Sequence, residues 1–173
     1  MSVVKSIDQR KAWELLTQQT HLVLATQSRR QPRFPYTSWV PFQAHRAGAV
    51  IILVADIAEH TLNLLTNEHT SLLLAETPEP SPAAAGMPVS VVRLSLFARA
   101  KRLELPEAEA VCQGFYTRHP GLQDYHRRLG FVFFEMTLVE GRFIGGPGRA
   151  RWIGAADFAA SFSAATESAP APQ

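Results

Sequence analysis

Between Val92 and Lys101 the chain alternates with period two, with Val92, Leu94, Leu96, Ala98 and Ala100 on one side and Arg93, Ser95, Phe97, Arg99 and Lys101 on the other. Successive side chains point to opposite faces only in extended backbone, so this is a long strand with one face on a core and one in water. Such a strand needs neighbours, and the rest of the chain supplies them. Ala49–Ala55 (AVIILVA) is a nearly continuous apolar run of strand length, buried on both faces or facing a partner. Residues 21–26, 35–42 (PYTSWVPF) and 70–75 read as further strands, and residues 131–139 as the first arm of a final hairpin. That hairpin is expected to turn at Glu140-Gly141 and return through residues 142–144.

Helices separate these runs. Ser6 and Gln9 form a capping box ahead of an apolar stripe of Ala12, Trp13, Leu15 and Leu16, which predicts a helix over residues 7–18. Asp56 and Glu59 form a second box, opening a short helix to Thr66 with Ala58, Leu62 and Leu65 on its apolar face. Pro106 suits the first turn of a third helix, where Ala108, Val111, Cys112 and Phe115 recur at helical spacing before His119-Pro120 ends it. The resulting order is helix, three strands, helix, two strands, helix, two strands. With short connections this favours a mainly β antiparallel barrel with peripheral helices over a doubly wound parallel sheet. Residues 78–88 (PEPSPAAAGMP) read as a loop, 1–162 as one domain and 163–173 as a disordered tail.

Composition removes several classes of function. Seventeen Lys and Arg against 15 Asp and Glu give a net charge of +2, too balanced for the footprint of a general nucleic-acid binder. Cys112 is the lone cysteine, so no intrachain disulfide or cysteine-rich metal site forms, and a reducing cytoplasm is the natural compartment. No run approaches the roughly 18 apolar residues that span a bilayer, so no membrane role is expected. The hydrolase and nucleotide-triphosphatase signatures GxSxG, HExxH and GxxxxGK[ST] are absent, and six scattered histidines show no metal-ligand spacing, so no metal site is expected.

Two segments carry potential chemistry. Residues 55–61 cross from a buried strand into a helix start, placing His60 and Thr61 where free N–H groups and the helix dipole attract phosphate; a purely capping role for Asp56 and Glu59 is the alternative. Residues 145–152 (GGPGRARW) offer glycines for close backbone approach, with Arg and Trp as an anion clamp and a stacking face; a solvated turn is the alternative.

PYTSWVPF, ADIAEHTLNLLTN followed by SLLLAE, and FVFFEMTLVEGRFIGGPGRARW occur in an order that resembles the FMN-binding split barrels related to pyridoxamine 5′-phosphate oxidase, most of all their haem-utilisation branch. The resemblance spans residues 7–160 and implies a homodimer of six-stranded antiparallel split barrels with flavin at the subunit interface. It places Ser38, Val54 and Ala55 beside the isoalloxazine and ribityl chain, His60 and Thr61 at the phosphate, and Gly146, Arg149 and Trp152 near the interface, with Arg93 in a position that is often basic. The function it implies is an FMN-dependent oxidoreductase acting on a small molecule, in which the cofactor carries the redox chemistry. The alternatives are a haem-handling protein in which Arg149 and Arg151 pair with propionates, or a barrel that holds neither cofactor. Relatives commonly carry Ser at the position of Ala55, Arg at that of Glu59 and an aromatic residue at that of Pro147. Haem-degrading relatives carry an iron-ligating His in a C-terminal extension, whereas residues 159–173 contain none, leaving His119 and His126 as downstream candidates.

Overall fold

The computed structural model describes residues 7–45, 48–76 and 91–166, with side chains described through residue 160; the expected loop at 78–88 lies outside the described residues. The elements run α1 (Ile7–Gln18), β1 (His21–Gln27), β2 (Pro35–His45), β3 (Ala49–Ala55), α2 (Glu59–Thr66), β4 (His69–Ala75), β5 (Arg93–Arg102), α3 (Leu105–Arg118), α4 (Tyr125–Arg128), β6 (Phe131–Gly146), β7 (Arg149–Gly154) and α5 (Ala155–Thr166). The sheet order is β3-β2-β1-β4-β5-β6-β7, and β3 also pairs with β6. That extra pairing closes six strands into a mainly β antiparallel barrel, with β7 added outside the ring on β6.

The period-two strand is β5, whose Leu94, Leu96, Ala98 and Ala100 face the interior. They meet Leu22 and Leu24 of β1, Val40 and Phe42 of β2, Leu72 and Leu74 of β4, and Phe134, Met136 and Phe143 of β6 in one core. The stripe Ala12, Leu15 and Leu16 of α1 is buried in the same core.

The unbroken apolar run of β3 has a direct cause. Val50, Ile52 and Val54 enter the barrel core, while Ile51 and Leu53 point outward into a second core with Ala108, Cys112 and Phe115 of α3 and with Phe133. Both faces of β3 are therefore dry, which removes the usual polar alternation.

Three local expectations are corrected. First, Asp56 and Glu59 do not form a capping box: Ala58 occupies the N-cap without a side-chain bond, Asp56 pairs with Arg102 at 2.9 Å and Glu59 faces Arg29 at 3.6 Å. Second, α2 buries Thr61, Asn63 and Leu64, and Leu65 is exposed, because α2 packs against the polar ends of β1 and β2 rather than on an apolar slab. Third, β6 runs unbroken through Glu140-Gly141, and the chain reverses at Pro147-Gly148, flanked by the pair Gly146 and Arg149. Proline followed by a glycine at φ +71° is a favoured turn pair. Gly141 instead serves packing, since a Cβ there would lie 2.7 Å from Leu96 Cδ2 and 2.9 Å from Phe158 Cζ of α5. The β5–β6 register shifts between Phe97 and Ala98, leaving Val139 as the extra residue of a bulge.

Candidate functional site

At one barrel mouth, α2 is tied to the surrounding strands by polar side chains. The Thr61 hydroxyl, fully buried, donates to the Ala55 carbonyl at 2.7 Å, fixing the first turn of α2 under the end of β3. Asn63, also fully buried, donates through Nδ2 to Thr26 Oγ1 at 2.9 Å and accepts at Oδ1 from the Arg29 backbone N–H at 3.0 Å. These bonds lock the β1–β2 turn onto α2 and place the Arg29 side chain opposite Glu59.

His60 reaches Ser38 of β2, with Nδ1 and Oγ 3.0 Å apart. Burial pushes its pKa below the ordinary value of 6.5, so the imidazole is neutral at pH 7. Its Nε2 is buried without a hydrogen-bond partner, and so is Glu59 Oε1. Val54 is in the core and Ala55, half-buried, ends β3 beside this pair. Ser38, Ala55, His60 and Thr61 are thus brought to one mouth, while Val54 lies in the barrel core.

Gly146, Arg149 and Trp152 lie elsewhere, on the β6–β7 hairpin. Arg149 pairs with Asp8 of α1. The Trp152 ring, half exposed, stacks on Phe97 at 6.3 Å between centroids, with the Arg142 guanidinium 5.1 Å from its ring centre. Among the described residues no hydrogen bond, ion pair or ring contact joins this group to the α2 mouth.

Phe97 also borders a groove of about 440 Å³ whose other walls include Gln27, Pro35, His69, Arg99 and Val139. His69 Nδ1 is 3.1 Å from Asn67 Oδ1, an acceptor only, which puts the proton on Nδ1 and leaves the Nε2 lone pair open. The two downstream histidines differ from it. His119 is buried against Phe115 and donates from Nε2 to the Phe42 carbonyl at 2.9 Å, so it has no free path to a ligand. His126 gives Nδ1 to the Phe131 carbonyl at 3.1 Å beside the Phe133 ring.

Sequence reasoning missed Asn63 as a latch, Arg29 as the partner of Glu59, and Phe97 and Arg142 as the partners of Trp152. Only the last had a usable signal, an aromatic residue on the polar side of a period-two strand. Among the described residues no group of three or more His, Cys, Asp or Glu could hold a metal ion, and no helix is long and apolar enough to cross a membrane.

A closed six-stranded antiparallel barrel with a helix at its mouth and an extra edge strand defines the split-barrel class, and solved structures of the same fold agree. The chain belongs to the CREG β-barrel family, whose model matches residues 8–160. Over 98 residues it is 30% identical to the non-canonical haem oxygenase HOZ of Arabidopsis thaliana chloroplasts, covering 57% of this chain and 28% of that protein. A haem-binding protein from Mycobacterium smegmatis superposes with a TM-score of 0.74 at 24% identity, over 91% of this chain and 62% of that one. The haem storage protein HutZ of Vibrio cholerae gives 0.61 at 22% identity, over 80% and 92%. The chain therefore spans little more than a quarter of the plant protein and less than two thirds of the mycobacterial one. The expected kinship with pyridoxamine 5′-phosphate oxidase-like split barrels, including those that handle haem, is borne out.

Proposed function

We propose that this chain is a haem-binding split barrel. The observation that carries this reading is the half-exposed Phe97–Trp152 ring pair with Arg142 beside it, whose Phe97 lines a groove that also holds His69 and Arg99. A flat apolar surface flanked by guanidinium groups fits a planar dianion: the rings cover the macrocycle, and Arg142 and Arg99 pair with propionates. His69 Nε2 is the open nitrogen donor of that groove, in place of a C-terminal histidine. Bound haem would supply redox and oxygen chemistry; the residues here bind, orient and shield it. The haem-related names of the relatives support the same reading.

Titration with haemin tests it. Saturable binding at one site per chain, weakened by Trp152→Ala and Arg142→Ala, is the expected result; a linear, non-saturating spectral change that neither substitution alters would overturn it.

A flavin-dependent oxidoreductase is the second reading, favoured by buried atoms of Glu59 and His60 that lack a hydrogen bond at the α2 mouth, the place that the resemblance gives to the cofactor. A homodimer suits both readings. It would cover the exposed Leu73 and Val139 of the outer sheet beside the haem face and offer each α2 mouth a partner surface. A stable species of 19.1 kDa in sedimentation, rather than twice that mass, would refute the dimer. The single cysteine, buried in the second core, suits a cytoplasmic setting.

A further inference from the structure

Three buried side-chain atoms among the described residues lack a hydrogen-bond partner, Glu59 Oε1, His60 Nε2 and Arg118 Nε, and the first two are neighbours at the α2 mouth. Buried polar atoms are nearly always satisfied, so a pair of orphans in one place marks a position where a ligand or ordered water completes the bonding. Its chemistry follows from what these atoms need. A carboxylate oxygen only accepts, and its ion-pair partner, Arg29 Nε at 3.6 Å, is beyond hydrogen-bond reach. Whatever fills the mouth must bring a donor to Glu59.

A phosphomonoester dianion, the end group of FMN, brings none. It would set acceptor against acceptor beside Glu59, with a neutral His60 and with the Thr61 hydroxyl already committed to Ala55. The phosphate anchor expected at His60 and Thr61 therefore does not suit the residues around it. We propose that the α2 mouth takes a neutral, hydroxyl-bearing chain and rejects phosphate, with Glu59 as the specificity-determining residue. Ser38 and His60 complete the pattern, since their shared bond leaves one imidazole nitrogen to meet a second hydroxyl. This inference rests on the flavin reading and narrows it to a flavin held by its ribityl chain, without need of a terminal phosphate.

The test compares riboflavin, FMN and inorganic phosphate on the full chain. Fluorescence titration should find riboflavin bound at least as tightly as FMN by the native protein. Glu59→Gln, which keeps the shape and removes the charge, should tighten FMN about fivefold relative to riboflavin, and inorganic phosphate should then raise the melting temperature of the variant but not of the native protein. Should the Gln variant fail to fold, Glu59→Ala serves for the same comparison. Native FMN affinity well above that of riboflavin, or a ratio and phosphate response untouched by both substitutions, overturns the proposal. If neither flavin binds, the flavin reading falls alone: phosphate stabilisation confined to the Glu59 variants upholds the role of Glu59, and its absence overturns that too.

Discussion

Replacing Asn63 by Ala should be among the most damaging single changes at the α2 mouth, although Asn63 touches no expected ligand position. The side chain is fully buried and makes two hydrogen bonds, to Thr26 Oγ1 at 2.9 Å and from the Arg29 N–H at 3.0 Å. Each is worth about 1 kcal/mol net, and the truncated amide also leaves a void and a buried Thr26 hydroxyl with one fewer partner, so the loss should be about 2 to 4 kcal/mol. For a domain of this size that corresponds to a fall in Tm of about 6 to 12 °C. Urea unfolding of Asn63→Ala, Thr26→Val and the double variant measures it. The two residues should couple by about 1 kcal/mol, because Thr26→Val removes one end of the same bond while its remaining contact, a 3.4 Å donation to Tyr36 O, is weak. A loss below about 1 kcal/mol for Asn63→Ala, or strict additivity, would refute the idea that this amide holds the β1–β2 turn against α2.

Gly141→Ala should cost about 1 to 3 kcal/mol, read from the urea midpoint, because the added methyl meets the buried Leu96 and Phe158; a neutral result would mean that α5 is not seated as described. His60 and His119 both have pKa values lowered by burial, so the unfolded chain takes up protons more readily below the ordinary value of 6.5. Their contribution is therefore complete above pH 6.5 and lost as the pH falls from there towards the folded-state values; a urea midpoint that is flat or rising from pH 7.5 to 5.5 would contradict this. Trp152→Ala should weaken haemin about tenfold, by loss of a stacking face, while Trp39→Ala, on β2 and stacked on His21, should not, and equal effects in a Soret titration would point to nonspecific adsorption.

Much of the barrel was legible because its strands obey simple patterns. β5 alternates since it has one wet face, and β3 is wholly apolar since α3 covers the other side. The final hairpin was misplaced because Glu140-Gly141 carries turn chemistry, yet the glycine there answers to Leu96 and Phe158, residues distant in sequence. The capping box failed for a similar reason: Arg29 and Arg102 arrive from other elements and claim the two carboxylates. Ser38 and His60 were placed together only through the family resemblance, as nothing local ties a β2 serine to an α2 histidine 22 positions on. Cross-chain polar partners of this kind leave no periodic trace, so the site was less readable than the fold.

Closing the ring through β3 and β6 leaves β7, among the described residues, with a hydrogen-bonded neighbour on one side only. Its outer rim is an open row of amides and carbonyls, the kind of template on which another chain can grow a cross-strand assembly. Arg149 and Arg151 stand on this short strand, and Arg149 is leashed to Asp8. Charged guardians here would keep neighbouring molecules from zipping together during synthesis and refolding. Neutralising them should leave the native barrel nearly as stable while lowering the yield of soluble protein, a cost borne by the population rather than by the folded molecule.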